Sequence, residues 1–252
     1  MVKGERHFDF WVTYYGQGEM RYKNMADYYC VRKGSKWQNL YDVFKRWPEI
    51  IRQYESIFVT DDDIIISTEQ INRLFEIRKQ FDLWLCQPAF DLRGKISHPI
   101  TEIKPQYFMR YTNFVENTCP LFRTDKLEQF MEVYDPSLCA GGVDYWYMDV
   151  LKQNPFSSRR VSVIDAIRCI NPFDFTKGGE REYEKIDKVP WEETKKTLAP
   201  RYGIKSHLEP HKEFGFVYNW KISDYVSAVG YLLTIFAIRL KKFILRVLAY
   251  WH

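Results

Sequence analysis

The sequence predicts an α/β domain followed by a C-terminal amphipathic helix. Short segments rich in β-branched and aromatic residues alternate with helical apolar stripes, the order expected of α/β proteins. One of these segments, residues 54–67 (YESIFVTDDDIIIS), runs directly into three aspartates. The end of the chain instead interleaves basic and apolar residues. We therefore predict one domain over residues 1–215 and an amphipathic helix over residues 216–252.

The composition excludes several classes of protein. Of the 252 residues, 46% are hydrophobic and 17% are aromatic, which is too apolar for a disordered chain. The net charge of +4 is modest, so the charge balance does not argue for a nucleic-acid partner. The five cysteines are scattered without a Cys-x-x-Cys pair, which predicts a reducing compartment and neither a zinc site nor a disulfide framework. The N-terminus lacks a long apolar segment, so we do not expect a cleaved secretion signal.

The N-terminal half begins with a predicted strand at Phe8–Tyr15, which ends at a glycine turn. Apolar residues at spacings of three and four over Trp37–Tyr54 indicate a helix that Ser35 is able to cap. Because proline disrupts a helix interior, Pro48 is expected to kink or divide this helix. The buried strand at Ile57–Val59 follows.

The remaining elements alternate in the same way as far as residue 170. From there to Phe214 the chain is charged and rich in proline and glycine, which predicts a long excursion with short helices. The predicted elements are a helix at Glu69–Lys79, a strand at Leu83–Gln87, a helix at Leu127–Val133, a last core strand at Val161–Ile170 and a short helix at Trp191–Thr197.

The three aspartates at positions 61–63 are the strongest candidate for a functional site. Adjacent carboxylates at the end of a buried strand repel one another, so a cation or a ring of donors is needed to neutralise them. The carboxyl ends of strands in parallel α/β sheets are also where ligands bind. Carboxylate oxygens suit a hard divalent ion, and such an ion suits a diphosphate. The alternative is a solvated acidic turn that caps the helix starting near Ser67.

Two further candidates lie in loops. Lys33 and Lys36 stand at a loop-to-helix junction, where cationic side chains and free backbone N–H groups suit a phosphate. A solvated basic turn is the alternative. His98 lies in a polar, irregular loop, where a histidine is either incidental or in contact with substrate.

A second group of candidates lies in the middle of the chain. Glu116 interrupts an apolar run, and a carboxylate in such a run needs a partner or faces a cleft. Gly141 and Gly142 allow a close approach of backbone to ligand, and Asp144 is well placed to cap the helix that follows. The spacing of His207 and the histidine at position 211 fits a helical metal pair, but the proline between them argues against it.

These motifs together resemble a known class of enzyme. A strand that ends in Asp-x-Asp, followed later by Gly-Gly-x-Asp at a helix start, is similar to the GT-A class of nucleotide-sugar glycosyltransferases. More narrowly, the motifs resemble an uncharacterised glycosyltransferase-like family of plants and bacteria. The resemblance covers Phe8 to Asn171 and rests on the ordered set YESIFVTDDDI, NFVENTCPLF, GGVDYWY and VSVIDAIRCIN.

The resemblance implies a single Rossmann-like GT-A domain that binds a nucleotide-diphosphate sugar. Asp61 and Asp63 would match the Asp-x-Asp motif and hold Mn²⁺ or Mg²⁺, and Asp144 would be the catalytic base of an inverting transfer. Where relatives often have histidine after the last core strand, this chain has Asn171, a poorer metal ligand. The predicted donor-binding residues are Lys33, Lys36, Asp61, Asp62, Gln87, His98, Glu116 and Gly142.

The tail suggests where such an enzyme works. Residues 225–238 carry no charge but are fewer than the roughly 20 that a spanning helix needs. The basic residues that follow, interleaved with apolar ones, favour a helix lying in the headgroup region of an anionic membrane. A buried terminal helix or a dimer interface is the alternative. We expect a cytoplasmic enzyme attached peripherally to the inner face of the cell membrane, with a glycan or lipid-linked acceptor in polysaccharide or lipopolysaccharide synthesis.

Two other functions fit part of the pattern. Haloacid-dehalogenase-like phosphohydrolases also place Asp-x-Asp after a strand, although that motif normally opens the domain and continues with Gly-Thr. Here a strand and a long helix precede the motif, and three isoleucines follow it. The third possibility is an inert membrane-attached scaffold that keeps the fold without the chemistry.

Overall fold

A computed structural model gives the structure of the chain, and its strands form one large and one small sheet. The eight strands found within the described residues are β1 (Trp11–Tyr14), β2 (Tyr28–Val31), β3 (Ser56–Phe58), β4 (Leu85–Phe90), β5 (Tyr107–Thr112), β6 (Leu121–Arg123), β7 (Val161–Cys169) and β8 (Glu213–Tyr218). The structure describes residues 5–16, 18–137, 141–152, 159–173, 191–218, 233–234, 236–238 and 240.

Six α-helices lie in these ranges. They are α1 (Lys36–Arg46), α2 (Pro48–Ile51), α3 (Thr68–Gln80), α4 (Thr124–Val133), α5 (Val143–Lys152) and α6 (Trp191–Tyr202). Ser35 caps α1 and Ser67 caps α3, each through a reciprocal pair of hydrogen bonds with the glutamine three residues later. Pro48 divides the predicted long helix into α1 and α2, as expected of a residue that cannot continue the helical hydrogen bonds.

The large sheet is mixed, with the strand order β3-β6-β4-β7-β5-β8. Strands β4 and β7 pair in parallel, whereas β6 is antiparallel to both β3 and β4, and β5 is antiparallel to both β7 and β8. Strands β3, β4, β7 and β8 therefore run in one direction. The carboxyl ends of β3, β4 and β7 meet at one edge of the sheet. Strands β1 and β2 form a separate parallel pair.

Helices cover both faces of this sheet. Leu85 and Phe122 pack on one face with residues of α1, α4 and α5. Their chain neighbours Cys86 and Leu121 pack on the other face with residues of α3, because successive side chains of a strand point to opposite faces. The described residues thus form a mixed α/β fold, which confirms the predicted class. The finer Rossmann-like arrangement remains a prediction.

Strand β8 corrects the prediction that Val161–Ile170 is the last core strand. It pairs with β5, and a buried ion-pair network holds the two strands to β7. The fully buried Arg110 donates from Nε and Nη2 to Asp165 at 2.8 and 3.0 Å, and it also forms an ion pair with Glu213 on β8. Burial raises the pKa of Asp165 to about 6, although the Arg110 guanidinium opposes this. Strand β8 also crosses the predicted domain boundary between 215 and 216.

Most of the predicted C-terminal helix lies outside the described residues. The six described residues of this segment, 233–234, 236–238 and 240, are helical. Among them Leu233 and Phe236 are 67% and 68% exposed, and Leu240 is also exposed. Over the part of the chain that the structure describes, no helix combines the length and the apolar character needed to cross a bilayer.

Candidate active site

The acidic triplet follows β3 and is held against the loop of residues 113–120. The backbone N–H of Val59 donates to the carbonyl of Pro120, and that of Asp61 donates to the carbonyl of Thr118, both at 2.9 Å. This loop connects β5 to β6 and passes over β4, where the backbone N–H of Glu116 donates to the side chain of Gln87 at 2.6 Å. The end of β3 and the loop therefore form one wall of the site.

Lys36, the first residue of α1, supplies a positive charge to this wall. Its Nζ lies 2.6 Å from Asp61 Oδ1 and donates to the carbonyl oxygen of Thr118 at 3.1 Å. It also donates to the carbonyl oxygen of Asn117. The lysine side chain is 19% exposed and that of Asp61 is 39% exposed. Asp61, the first residue of the triplet, is thus paired with a cation.

The other two aspartates of the triplet have different surroundings. Asp62 is exposed and accepts a hydrogen bond from the hydroxyl of Tyr15 at 2.8 Å. Burial of this tyrosine, together with the neighbouring aspartates, raises the pKa of its hydroxyl. Asp63 is half-buried and also has an interaction partner.

Glu116 is a buried carboxyl group that is only partly hydrogen-bonded. It is 5% exposed, and its Oε1 accepts from the hydroxyl of Thr118 at 2.6 Å. Its Oε2 is buried without a hydrogen-bond partner among the described residues. Burial raises its pKa to about 7; the charges of Asp144 and Asp61 act in the same direction, and the Thr118 hydrogen bond and Lys36 oppose it. An unpartnered buried oxygen is costly in a native protein and therefore points to a ligand or an ordered water.

Asp144 brings a second buried carboxyl group to the site. Helix α5 begins at Val143, so Asp144 lies in its first turn and not at the preceding position that a capping residue takes. It is 3% exposed; its Oδ1 accepts from the backbone N–H of Tyr145 at 3.0 Å and its Oδ2 accepts from Asn117 Nδ2 at 3.3 Å. Burial raises the pKa of Asp144, and the neighbouring His98 opposes this.

A cluster of rings lies beside Asp144. The ring of His211 stacks on that of Phe114 with centroids 4.0 Å apart, and His98 lies 4.6 Å from Phe114 and 5.3 Å from His211. Tyr145 of α5 contacts His98, Phe114, His211 and also His207. Burial lowers the pKa of His98, while Asp144 opposes this, and burial lowers that of His211 to about 4. Both imidazoles are therefore mostly neutral at pH 7, able to donate and accept hydrogen bonds.

The predicted residues do not all converge. Lys36, Asp61, His98, Glu116 and Asp144 share one region, since their charges or hydrogen bonds act on one another.

The other predicted residues stand apart from this group or support it. Lys33 is exposed and forms no ion pair within the described ranges. Gln87 is fully buried beneath the loop, where it positions Glu116. Gly142 has φ 92°, a conformation that favours glycine, immediately before α5. The carbonyl of Asn171 accepts from the backbone N–H of Lys95 at 2.7 Å.

A preformed metal cage does not exist in the part of the chain that the structure describes. No group of three or more histidine, cysteine, aspartate or glutamate side chains is arranged to hold an ion there. The carboxylate of Asp61 is already paired with an ammonium group. Mg²⁺ is commonly bound by one or two carboxylates, with its other oxygens from phosphates and water. The residues therefore fit a divalent ion that arrives with a diphosphate, and they do not fit one held by protein side chains alone.

Sequence reasoning missed several members of the site. Asn117 and Thr118 directly follow Glu116, yet their contacts with Lys36 and Asp144 join segments that are remote in sequence. Phe114 and Tyr145 are not among the predicted site residues, and His207 and His211 are predicted only as a doubtful metal pair. The signal that was available is the density of polar residues in NFVENT, inside an otherwise apolar run.

Comparisons with known proteins identify the chain only at the level of a family. A family profile described as "Protein of unknown function (DUF707)" matches residues 6–148. No curated protein matches. Among solved structures, the chain is similar to one titled "Crystal Structure of A197 from STIV", with 14% sequence identity and a TM-score of 0.39 over 64% of this chain and 82% of that chain. A likeness that weak supports no argument.

Proposed function

This chain belongs to the DUF707 family of proteins of unknown function, and we propose that it is a GT-A-type glycosyltransferase that uses a nucleotide-diphosphate sugar. One observation carries the proposal. The Lys36–Asp61 pair and the buried Asp144 meet at the same loop, where Lys36 donates to the carbonyls of Asn117 and Thr118 and Asp144 accepts from the side chain of Asn117. A charge-compensating end and a proton-accepting end are the two parts that sugar transfer from a diphosphate requires.

The end of the site at Lys36 and Asp61 suits the diphosphate of the donor. A diphosphate leaves only if its developing negative charge is offset, and Lys36 together with the first backbone N–H groups of α1 offers positive charge. Asp61 and Asp63 would hold Mn²⁺ or Mg²⁺ when the donor brings it, and the bound ion would add further positive charge against the leaving group. Asp62, Gly142 and the exposed Lys33 are proposed to line the approach to this end.

The end at Asp144 suits the acceptor hydroxyl. A carboxylate removes the proton of this hydroxyl most effectively when its basicity is raised, and burial raises that of Asp144. Hydrogen bonds from Asn117 and from the backbone of Tyr145 fix the orientation of the carboxylate. Attack from the face opposite the diphosphate would invert the anomeric centre. His98 and Glu116 are proposed to contact the donor sugar between the two ends, with Gln87 supporting Glu116.

The acceptor is proposed to be a glycan or a lipid-linked saccharide. The rings beside Asp144 offer apolar faces and neutral imidazoles, a combination that suits a sugar ring with its hydroxyl groups. The basic residues of the tail favour attachment to the inner, cytoplasmic face of the cell membrane, in polysaccharide or lipopolysaccharide synthesis.

A panel of nucleotide sugars tests this function. We expect one class of donor to raise the melting temperature of the protein, more so with Mn²⁺ or Mg²⁺, because a ligand of the folded state stabilises it by mass action. With that donor, Asp63→Ala should lower transfer about 100-fold or more. Asp125→Ala should leave transfer unchanged, because Asp125 is paired with Arg123 at the opposite edge of the sheet.

Three outcomes of these experiments would contradict the proposal or its details. Normal turnover by Asp63→Ala would show that transfer does not need a metal held by Asp63. Retention of configuration in the product would remove Asp144 from the role of base. Release of phosphate from simple phosphomonoesters, without binding of any nucleotide sugar, would favour a phosphohydrolase instead.

A further inference from the structure

The ammonium group of Lys36 is surrounded by three oxygen atoms of the protein. Its Nζ lies 2.6 Å from Asp61 Oδ1 in an ion pair, and it donates to the carbonyl of Thr118 at 3.1 Å and to the carbonyl of Asn117. One carboxylate oxygen and two backbone carbonyl oxygens are also the kind of ligands that a hard divalent ion takes. The lysine therefore sits where a small cation would sit.

The position of this lysine has an electrostatic cost. Lys36 is the first residue of an 11-residue helix, so its charge lies near the positive end of the helix dipole. It is also largely buried, which disfavours a charged group. The surrounding oxygens offset these two effects. A lysine that serves helix stability alone would not be expected at this position.

Glu116 supplies an independent sign that a ligand belongs at this place. Only 5% of the residue is exposed, and its Oε2 is buried without a hydrogen-bond partner within the described residues. Glu116 lies close enough to Lys36 and Asp61 for both charges to act on it. A buried oxygen of this kind gains a partner if a cation or a ligand hydroxyl enters.

We propose that Lys36 is a tethered cation that fills the ion position at Asp61 in the free protein and competes there with a divalent ion. The divalent ion binds well only after the ammonium leaves Asp61. The inference deepens the proposed function and rests on it in one respect, since a nucleoside diphosphate would draw the ammonium to its phosphate oxygens. The ion and the diphosphate then enter together, and the free protein binds the ion weakly.

Titration of the full-length protein with Mn²⁺ alone, followed by the electron paramagnetic resonance signal of the free ion, tests this competition. Lys36→Met should bind Mn²⁺ about tenfold or more tightly than the wild type, because the competing charge 2.6 Å from Asp61 is gone. Lys45→Met removes the same charge from the exposed last turn of α1 and should stay within about twofold of the wild type. The double variant Lys36→Met/Asp61→Asn should lose the gain.

Each other result overturns the inference. If Lys36→Met binds Mn²⁺ no better than the wild type, the lysine does not compete with the ion. If Lys45→Met gains as much affinity for Mn²⁺, the change in net charge alone explains the effect. If the double variant keeps the gain, the ion binds away from Asp61. Lys36→Gln provides a second variant, and the melting temperature of each variant shows whether it is folded.

The outcome of this titration is separate from that of the proposed function. The titration contains no nucleotide sugar. If Lys36→Met binds Mn²⁺ more tightly but no nucleotide sugar binds the protein, the competition by Lys36 holds and the glycosyltransferase function is refuted. If a nucleotide sugar binds but Lys36→Met binds Mn²⁺ no more tightly, the function holds and the competition is refuted.

Discussion

At the scale of single residues, the site depends on carboxyl groups whose surroundings differ sharply. Asp62 is exposed, whereas Glu116 and Asp144 are buried, and burial raises the pKa of both buried groups. The sequence shows five acidic residues of similar chemistry at three places in the chain. Their burial differs, and it raises the pKa of Glu116 and of Asp144, so burial helps to determine which chemistry each of these two residues is able to perform.

Glu116→Gln gives a prediction on the pH dependence of stability. In the wild type the unfolded chain loses the Glu116 proton near pH 4.5, whereas the folded protein keeps it up to about pH 7. Stability therefore falls as the pH rises between these values, by roughly 3 kcal/mol at 1.36 kcal/mol per pH unit. Glutamine removes this loss. Urea unfolding at pH 4.5 and pH 8 should show that the free energy of unfolding of the variant, relative to that of the wild type, rises by about that amount between the two pH values.

The exposed Glu132 provides the matched control for this measurement. Glu132→Gln should follow the wild type at both pH values. If Glu116→Gln also follows the wild type, the carboxyl group of Glu116 is ionised in the folded protein and its buried position has been misjudged.

At the scale of elements, the antiparallel edge of the sheet depends on one buried ion-pair network. Arg110 on β5 bridges Asp165 on β7 and Glu213 on β8, and it also donates to the carbonyls of Ile100 and Glu102. The two acidic partners, Asp165 and Glu213, lie 55 and 103 positions from Arg110 along the chain. This network holds strand β8 in the sheet. The charged segment before β8 predicted only an excursion with short helices.

Arg110→Met should destabilise the protein by about 3–5 kcal/mol, since Asp165 would remain buried without its cation. Lys104→Met breaks a partly exposed pair with the same Glu213 and should cost about 1 kcal/mol or less. Urea unfolding of both variants at pH 7 measures the difference. Equal losses would show that the buried network contributes no more than a surface pair.

The ends of β4 and β7 approach closely at Gly94. A Cβ atom there would overlap the carbonyl oxygen of Asn171 and lie 3.1 Å from its backbone nitrogen. Gly94→Ala should therefore cost about 1–3 kcal/mol, the usual range for overpacking. Gly215→Ala is the control, since its Cβ would meet only Tyr111 at 3.6 Å. A thermal melt in which the two variants behave alike would contradict the close approach.

At the scale of the whole molecule, the described fold and the tail are proposed to have separate tasks. The fold brings the candidate catalytic groups together, and the tail is proposed to hold the enzyme at its acceptor. The exposed apolar side chains at 233, 236 and 240 are spaced by three and four residues, which places them on one side of a helix. Such a face, together with the basic residues that follow, favours a membrane surface.

Deletion of Ile222–His252 should release the protein from vesicles that contain anionic lipid, because the deletion removes both the apolar face and the basic residues. Co-sedimentation of the full-length and truncated proteins measures this release, and an unchanged thermal transition of the truncated protein shows that it is folded. Vesicles of neutral lipid should bind the full-length protein less well. A truncated protein that still sediments with anionic vesicles would refute the anchoring role.

The local features of this protein could be predicted from its sequence. The caps at Ser35 and Ser67, the break at Pro48 and the strand before the acidic triplet all follow from residues within a few positions of one another. Strand β8 and the network around Arg110 could not be predicted, because their partners lie 50 to 110 positions away. The surroundings of His207 and His211 could not be predicted for the same reason, since their neighbours are rings of distant segments.

The sequence by itself determined the α/β class, the alternation of the predicted helices and strands, and the position of the acidic triplet. These follow from periodicity, capping and turn residues, which act over short distances along the chain. Only the tertiary structure decided which polar groups meet. The loop of residues 113–120 passes over β4 and reaches both Lys36 and Asp144, so it sets the burial and the charge partners of each carboxyl group. Burial and pairing control proton affinity, and both depend on neighbours that are remote in sequence.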